Sequence, residues 1–507
     1  MPQKSSLNLV VAAAEAIPYA KTGGLADVAG ALPQELVKLG HDVILVVPGY
    51  RCLNESGRLF HPVARISVQM PDGVVDVSID EDLRPVAGSF KSLRVWAIRH
   101  DPYFDRAGLY QESGKDYPDN LERFAFFCRA VIEAMVYLQR KMHWKTDLLH
   151  LHDWQTALCA AYLKTVDRGR TELEGIKTIL TLHNVGYQGI SPGSEFSKAG
   201  LPAELYSMQG FEFYGSVNVL KGGIIFSDFL TTVSPTYARE ILTPEGGFGL
   251  DGVLRTRSNQ FQGILNGIDV DLWNPETDPF LPANYSAKNR AGKILCKQAL
   301  QREFKLPETK QPLLAAIGRL TSQKGFDLIE AIVPELMTHE VQFVLLGTGE
   351  QVYEENFSAM QARYSGRMGV HIGFDEGLAH RIEGGADMLV MPSRYEPCGL
   401  SQLYSLRYGT APIVRKTGGL ADTVIPLTRQ PSEAGKATGF QVEEATSDAI
   451  LASLIFALET YYDRSTWNRL MENGMAADFS WSRSAKAYQR LFVSLMGSAN
   501  RDISKLA

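Results

Sequence analysis

Two cations, Arg319 and Lys324, stand in the tract Gly318-Arg319-Leu320-Thr321-Ser322-Gln323-Lys324-Gly325, between a strand-like run and a helix-like one. Fixed positive groups at such a junction suit the departure of a diphosphate, because charge grows on the leaving oxygen and preorganised cations stabilise it without solvent reorganisation. The plainer reading is a solvated loop in which Ser322 caps the helix. A second tract, Glu396-Pro397-Cys398-Gly399-Leu400-Ser401, follows another strand pattern and opens another helix. The amides of Gly399, Leu400 and Ser401 would lack intrahelical acceptors there, making a phosphate cradle with the Glu396 carboxylate beside it. Alternatively, Glu396 is only a first-turn partner of the helix dipole.

In the first half, His150-Leu151-His152-Asp153-Trp154 and Leu182-His183-Asn184-Val185-Gly186-Tyr187 each close an apolar run with polar residues. The histidines invite a metal, but no third ligand stands at a recognised spacing, so no metal is expected and hydrogen-bonded core or loop histidines are the commoner case. Asn266, in Asn266-Gly267-Ile268-Asp269, belongs to a simple turn or to a ligand loop. Three patterns lead nowhere. Gly189-Ile190-Ser191-Pro192-Gly193 imitates a hydrolase elbow, but Pro192 removes an amide the oxyanion hole would need. Gly347-Thr348-Gly349 lacks the third glycine of a dinucleotide fingerprint, and a phosphate-binding G-x-x-x-x-G-K-[ST] loop is missing.

The elements that must hold these residues alternate. Asn8 to Ala13 reads as a strand, Thr22-Gly23-Gly24 as a glycine loop, and Leu25, Val28, Leu32, Leu36 and Leu39 as one face of a helix stopped by Gly40. A strand over Val43 to Val47 completes a βαβ unit, and Leu148 to Leu151, Thr178 to Leu182 and Phe229 to Val233 read as further buried strands. From Leu313 the alternation restarts: strands at 313–317, 342–346, 370–372, 388–391 and 411–414, helices at 326–337, 351–363 and 401–408. The predicted fold is α/β with two Rossmann-like domains facing each other across an active-site cleft: 1–270, a linker over 271–310 rich in Pro, Asn, Ser and Ala, 311–480, and a helical segment over 481–507 that crosses back to the first. The heptapeptide Lys-Thr-Gly-Gly-Leu-Ala-Asp occurs at 21–27 and again at 416–422, both times at a strand-to-helix junction. Ligands bind at the carboxyl ends of strands in such sheets.

A chain of 507 residues with 45% hydrophobic content exceeds what one core holds, which supports two domains. A formal charge of −6 gives no global basic field, so nucleic acid and anionic membranes are not expected partners. Lys4 and the run Leu7 to Ala14 imitate a secretion signal, but Glu15 interrupts the run and a buried strand explains it better. Five scattered cysteines without C-x-x-C spacing fit a reduced, cytoplasmic compartment.

With these residues in view, the chain resembles bacterial glycogen synthases and plant starch synthases, retaining glycosyltransferases of the GT-B fold. The likeness rests on KTGGLADVAGALP at 21–33, HDW at 152–154, TLHNVGYQG at 181–189, VSPTYARE at 233–240, ILNGID at 264–269, GRLTSQKG at 318–325 and RYEPCGLSQLY at 394–404. It implies that Arg319 and Lys324 hold the donor diphosphate, assisted by backbone at Cys398, Gly399, Leu400 and Ser401 and at Gly23 and Gly24. Lys21 would bind donor phosphate and sugar, Phe374 would stack on the base, Asp153, His183, Asn184 and Asn266 would line the glucose site, and Tyr117 would lie on its sugar side. The second domain would then take the donor and the first the glucose and acceptor. The implied reaction moves glucose from ADP-glucose to the non-reducing end of an α-1,4-glucan or maltooligosaccharide with retention and release of ADP, without a cofactor. Glu396 would lie near the glucosyl group.

One departure is Tyr404, where the wider retaining-transferase pattern has a second glutamate, so ribose recognition does not carry over to that position. Three other readings share this sequence: a sucrose-type transferase, a sugar-nucleotide epimerase that needs no acceptor, and a non-catalytic glucan-binding protein. Sequence chemistry alone does not separate ADP-glucose from UDP-glucose; the resemblance favours ADP-glucose.

Overall fold

The computed structural model describes residues 6–112, 114–428 and 435–497. It divides into two compact units, Met1–Gly267 with Trp481–Ala507, and Ile268–Ser480.

The first unit is built on a nine-stranded sheet. Its strands are β1 (Asn8–Ala12), β2 (Asp42–Pro48), β3 (His61–Met70), β4 (Gly73–Pro85), β5 (Ser92–Arg99), β6 (Leu148–His152), β7 (Lys177–Leu182), β8 (Phe229–Thr232) and β9 (Phe261–Gly263). Their order is β9-β8-β7-β6-β1-β2-β5-β4-β3. All are parallel except β4, which runs antiparallel to both β5 and β3. The central strands are apolar almost throughout because helices cover both faces, so no alternation survives in their sequence. Helix α1 (Gly24–Lys38) buries Leu25, Val28, Leu32 and Leu36, and the chain turns at Gly40 with φ +95°. The hairpin β3–β4 was not foreseen. It alternates buried Ile66, Val68 and Met70 with polar neighbours, as an antiparallel edge with one solvated face does.

The second unit carries a six-stranded parallel sheet: β10 (Leu313–Ile317), β11 (Gln342–Gly347), β12 (Met368–Ile372), β13 (Met388–Met391), β14 (Ala411–Arg415) and β15 (Phe440–Val442). Its order, β12-β11-β10-β13-β14-β15, is the doubly wound arrangement in which the strand order reverses at the first strand. One face is packed by Phe326, Ile329, Val333, Leu454 and Trp467, the other by Leu300, Leu378, Ile382 and Leu420.

The linker expected over 271–310 is instead an integral part of the second unit. Its Pro and Asn residues make turns, but Trp273, Leu281, Tyr285 and Leu300 are buried. Trp273 lies flat between His380 and Tyr404, 3.7 Å from each ring centroid. Asp278 accepts hydrogen bonds from His380 Nδ1 at 2.7 Å and Tyr408 OH at 2.5 Å. A helix, Ala291–Glu303, follows; its Lys293 ammonium donates to Thr410 Oγ1 at 2.8 Å, and burial pulls its pKa down to about 8. Tyr404, the departure from the wider pattern, therefore serves as one layer of an aromatic stack.

The helix Trp481–Gly497 packs within the first unit: Ser484 Oγ donates to Leu265 O at 2.6 Å, and the Tyr488 and Phe492 rings lie 5.3 and 5.7 Å from His150. Among the described residues no helix is long and apolar enough to cross a membrane.

Candidate functional site

Both sheets reverse their strand order once among the parallel strands, between β1 and β6 in the first unit and between β10 and β13 in the second. In such sheets the carboxyl ends of the switch-point strands open the ligand crevice. Arg319 and Lys324 follow β10, Glu396 and residues 398–401 follow β13, and Phe374 follows β12. In the first unit Lys21, Gly23 and Gly24 follow β1, Asp153 follows β6, His183 and Asn184 follow β7, and Asn266 follows β9. Topology thus places every predicted residue but Tyr117 at a strand's carboxyl end.

In the second unit, Lys324 Nζ contacts Glu396 Oε2 at 2.5 Å, and Ser393 Oγ donates to the same oxygen at 3.0 Å. Backbone zips build this pair. Arg394 N donates to Gln323 O at 2.8 Å, and the Arg394 guanidinium grips Asp327 with two bonds of 2.7 and 2.6 Å. Gly325, with φ +76°, sits so close to Pro392 that a Cβ would come within 2.4 Å of its carbonyl oxygen. Gly325, not Ser322, precedes the helix Phe326–Leu336, so the capping alternative for Ser322 falls. The second copy of the heptapeptide closes the other side. A Cβ on Gly418 would lie 1.9 Å from Glu396 O, one on Gly419 would lie 2.1 Å from Cys398 O, and Gly419 N donates to Glu396 O at 3.1 Å. Glu396 is buried, and a lysine ammonium has three N–H donors, of which this pair uses one.

Beside that cluster, Leu403 N and Tyr404 N donate to Leu400 O, which leaves the amides of Ser401 and Gln402, the first two of the helix Ser401–Arg407, without an acceptor inside the helix. Arg319 is exposed on a loop whose backbone is held by Leu320 N to Thr348 O at 3.0 Å. The Gly347-Thr348-Gly349 pattern gains its explanation here: a Cβ at Gly347 or Gly349 would strike the carbonyls of Gly318 or Leu320. Phe374, 82% exposed, offers a bare ring face.

The first unit's cluster centres on a residue that the sequence argument passed over, Glu15. Its Oε2 accepts from Thr22 N at 2.5 Å and Gly23 N at 3.2 Å, while Oε1 accepts from Thr22 Oγ1 at 2.6 Å and Tyr110 OH at 2.7 Å. One buried carboxylate therefore fixes the first heptapeptide, whose Lys21 pairs with Asp27 at 2.8 Å on the surface. Glu15 was legible only as a carboxylate interrupting an apolar run just after a strand.

Asp153 takes φ +55°, an unusual conformation for its type, and its Oδ1 accepts from His183 N at 2.7 Å. Burial lifts its carboxyl to about 7 against the opposing backbone bonds from His183 and Asn184. His183 Nε2 and His152 Nδ1 share a hydrogen bond of 2.9 Å, and burial holds the His183 imidazole down at about 3, so the pair is neutral. His150 Nε2 bonds Thr181 Oγ1 at 2.7 Å in the core. Asn184 Oδ1 accepts from Gly186 N, and Asn266 is buried with its Oδ1 lacking a hydrogen-bond partner among the described residues. Tyr117 lies between the Arg106 and Arg123 guanidiniums, 4.7 and 4.9 Å from its ring, and its backbone N donates to Tyr110 O. Among the described residues no three His, Cys, Asp or Glu side chains converge as a metal ion would need.

Two doubly wound units, one with a lysine–glutamate pair beside a first helical turn and the other with buried carboxylate and imidazole groups, define the class of GT-B glycosyltransferases. Residues 8–256 match the family described as starch synthase catalytic domain, and 297–474 the one described as glycosyl transferases group 1. The chain is 44% identical over 492 residues to a glycogen synthase of Koribacter versatilis, covering 96% of this chain and 98% of that one. It is 45% identical over 491 residues to a glycogen synthase of Anaeromyxobacter sp., with 96% and 99% covered. The catalytic domain of starch synthase IV from Arabidopsis thaliana, solved with ADP and acarbose, superposes with a TM-score of 0.87 at 36% identity, with 97% and 100% covered. The chain belongs to the glycogen and starch synthase family, and it is a glycosyltransferase that makes α-1,4-glucan.

Proposed function

We propose that this enzyme transfers glucose from ADP-glucose to the non-reducing end of an α-1,4-glucan with retention of configuration, releasing ADP. The observation that carries the reading is the Lys324–Glu396 pair at 2.5 Å, next to the open first turn at Ser401. The ADP bound to the Arabidopsis relative supports the choice of base. Arg319, Lys324 and the amides around Cys398, Gly399, Leu400 and Ser401 stabilise the charge that grows on the departing diphosphate. Phe374 stacks on the base, and Lys21, Gly23 and Gly24 reach donor phosphate and sugar. Asp153, His183, Asn184 and Asn266 hold the glucosyl group, with Tyr117 on its sugar side. Glu396 faces the oxocarbenium character that develops at C1. No cofactor enters this scheme. All five cysteines are free thiols, which supports a cytoplasmic enzyme.

The test is transfer of labelled glucose from ADP-glucose, and separately UDP-glucose, into a maltooligosaccharide, with Glu396→Ala as control. Elongated, amylase-sensitive product with ADP release is expected. A loss on Glu396→Ala beyond the roughly 10²–10³-fold typical of one removed stabilising group assigns it a direct part in bond exchange. Donor consumption without an elongated acceptor refutes the proposal.

A further inference from the structure

We infer that His152 is a positioning residue that fixes the tautomer of His183, so that His183 meets its ligand with an N–H and not with a lone pair. His152 ends β6, and His183 follows its parallel neighbour β7. Two consecutive residues hold His183: Asp153 Oδ1 accepts from its backbone N at 2.7 Å, and His152 Nδ1 meets its ring Nε2 at 2.9 Å. A neutral imidazole has one N–H and one lone pair, so in this bond one ring donates and the other accepts. The far side of His152 decides which. That residue is fully buried, and its Nε2 has no hydrogen-bond partner among the described residues. If His183 donated, the His152 proton would sit on Nε2 as an enclosed N–H without an acceptor, an arrangement rarer in proteins than an unused acceptor site. The proton therefore lies on Nδ1, His152 donates, and His183 Nε2 accepts. His183 then carries its own proton on Nδ1, which has no partner among the described residues.

The neighbouring groups agree with this assignment. His150 also leaves a buried Nδ1 unpartnered; with its proton on Nε2 it donates to Thr181 Oγ1 at 2.7 Å, and Thr181 donates onward to Thr231 Oγ1 at 2.6 Å. The His152 ring lies between two others, 4.2 Å from His150 and 5.1 Å from His183. Thr156 Oγ1 clamps its backbone, accepting from His152 N at 2.8 Å and donating to His152 O at 2.9 Å. Burial lowers the pKa of all three imidazoles, which keeps them uncharged. Resting on the function proposed above, in which His183 holds the glucosyl group, the atom it meets is a hydroxyl oxygen of the donor glucose. A neutral N–H grips that oxygen without adding positive charge beside C1, where positive charge develops.

Long-range proton–nitrogen spectra of protein carrying isotope-labelled histidine read the tautomer, with His183→Gln identifying the His183 signals. Wild type should show His183 protonated at Nδ1 and bare at Nε2; the reverse overturns the inference. His152→Leu removes the donor, and kcat/KM for ADP-glucose should fall about 10- to 100-fold, the range for groups that orient a functional imidazole, while the Kd for ADP holds. His152→Asn, whose amide N–H can stand where Nδ1–H stood, should recover most of that loss. Among ADP-glucose analogues each lacking one hydroxyl, one should be penalised less in His152→Leu than in wild type, because the bond it forfeits is already gone. Penalties that add for every analogue overturn the inference, as does an Asn variant no more active than the Leu variant at equal melting temperature. If His152→Leu does not fold, the wild-type spectra still decide. Wild-type protein that does not use ADP-glucose overturns the function proposed above and leaves the tautomer to the same spectra.

Discussion

Substituting Gly418 by alanine adds one methyl group and touches no side chain assigned to the reaction, yet it should abolish most activity. The new Cβ would lie 1.9 Å from Glu396 O, where real Cβ contacts essentially never come under 3.0 Å, so the two backbones must part by about 1 Å. Neither neighbour is a flexible side chain that can swing away: Gly419 N is bonded to Glu396 O, and a Cβ on Gly419 would meet Cys398 O at 2.1 Å. Alanine also occupies φ +43° at a cost of about 1 kcal/mol. Displacing a reacting group by about 1 Å typically lowers the rate about 10²-fold. The assay is steady-state transfer from ADP-glucose to glycogen beside a thermal melt, expecting kcat down about 10²-fold with a native-like far-ultraviolet spectrum. Gly252→Ala, where a Cβ meets nothing within 4 Å, serves as control and should leave kcat unchanged. Wild-type kcat in Gly418→Ala would falsify the claim that the second heptapeptide fixes Glu396.

Gly23→Ala, in the first copy of the same peptide, should behave differently: a Cβ there meets nothing within 4 Å, so the melting temperature holds while KM for the nucleotide-sugar rises; a fall in stability matching that of Gly418→Ala refutes it. Asp153→Asn should steepen acid destabilisation. His150 and His183 have folded pKa values of about 3, below the unfolded value, so their stabilisation is present above about pH 6.5 and lost as pH falls. Asp153, raised to about 7, works oppositely, losing its stabilisation as pH rises from about 4 to 7 and so cancelling one histidine in that window. Melts across that window should show the stability slope of Asp153→Asn steeper by about 1.4 kcal/mol per pH unit; parallel slopes would count against the buried carboxyl. Trp273→Ala should cost about 3–5 kcal/mol in denaturant unfolding by emptying the stack between His380 and Tyr404; a cost under about 1 kcal/mol would show that the stack does not hold 268–290 in place.

The parallel strands were legible because each is a short apolar run ending in Gly, Pro or polar residues, as with Leu313–Ile317 before Gly318. Knowing where strands end was enough to predict which residues share a sheet's carboxyl edge. The hairpin His61–Pro85 escaped because charged residues on its solvated face dilute the alternation. The segment 271–310 misled because turn-forming Pro and Asn dominate its composition, while the burial of Trp273, Tyr285 and Lys293 depends on partners about 100 residues away. Glu15 was missed for a related reason: one of its partners, Tyr110, is 95 positions distant, and no local pattern marks a carboxylate with four donors. The two identical heptapeptides carry different duties for the same cause. One is held by Glu15, and the other crowds Glu396 through its glycines, differences that live in the neighbours rather than in the repeat.

The return of the helix Trp481–Gly497 to the first unit sets an order of events during synthesis. Leaving the ribosome, the nascent chain has all of Ile268–Ser480 available before the last helix of the first unit exists. The second unit can therefore close on its own residues while His150 still lacks the covering rings of Tyr488 and Phe492. A nascent chain arrested before that helix should present one finished unit and one with an open hydrophobic flank, the state in which this protein would most need a chaperone.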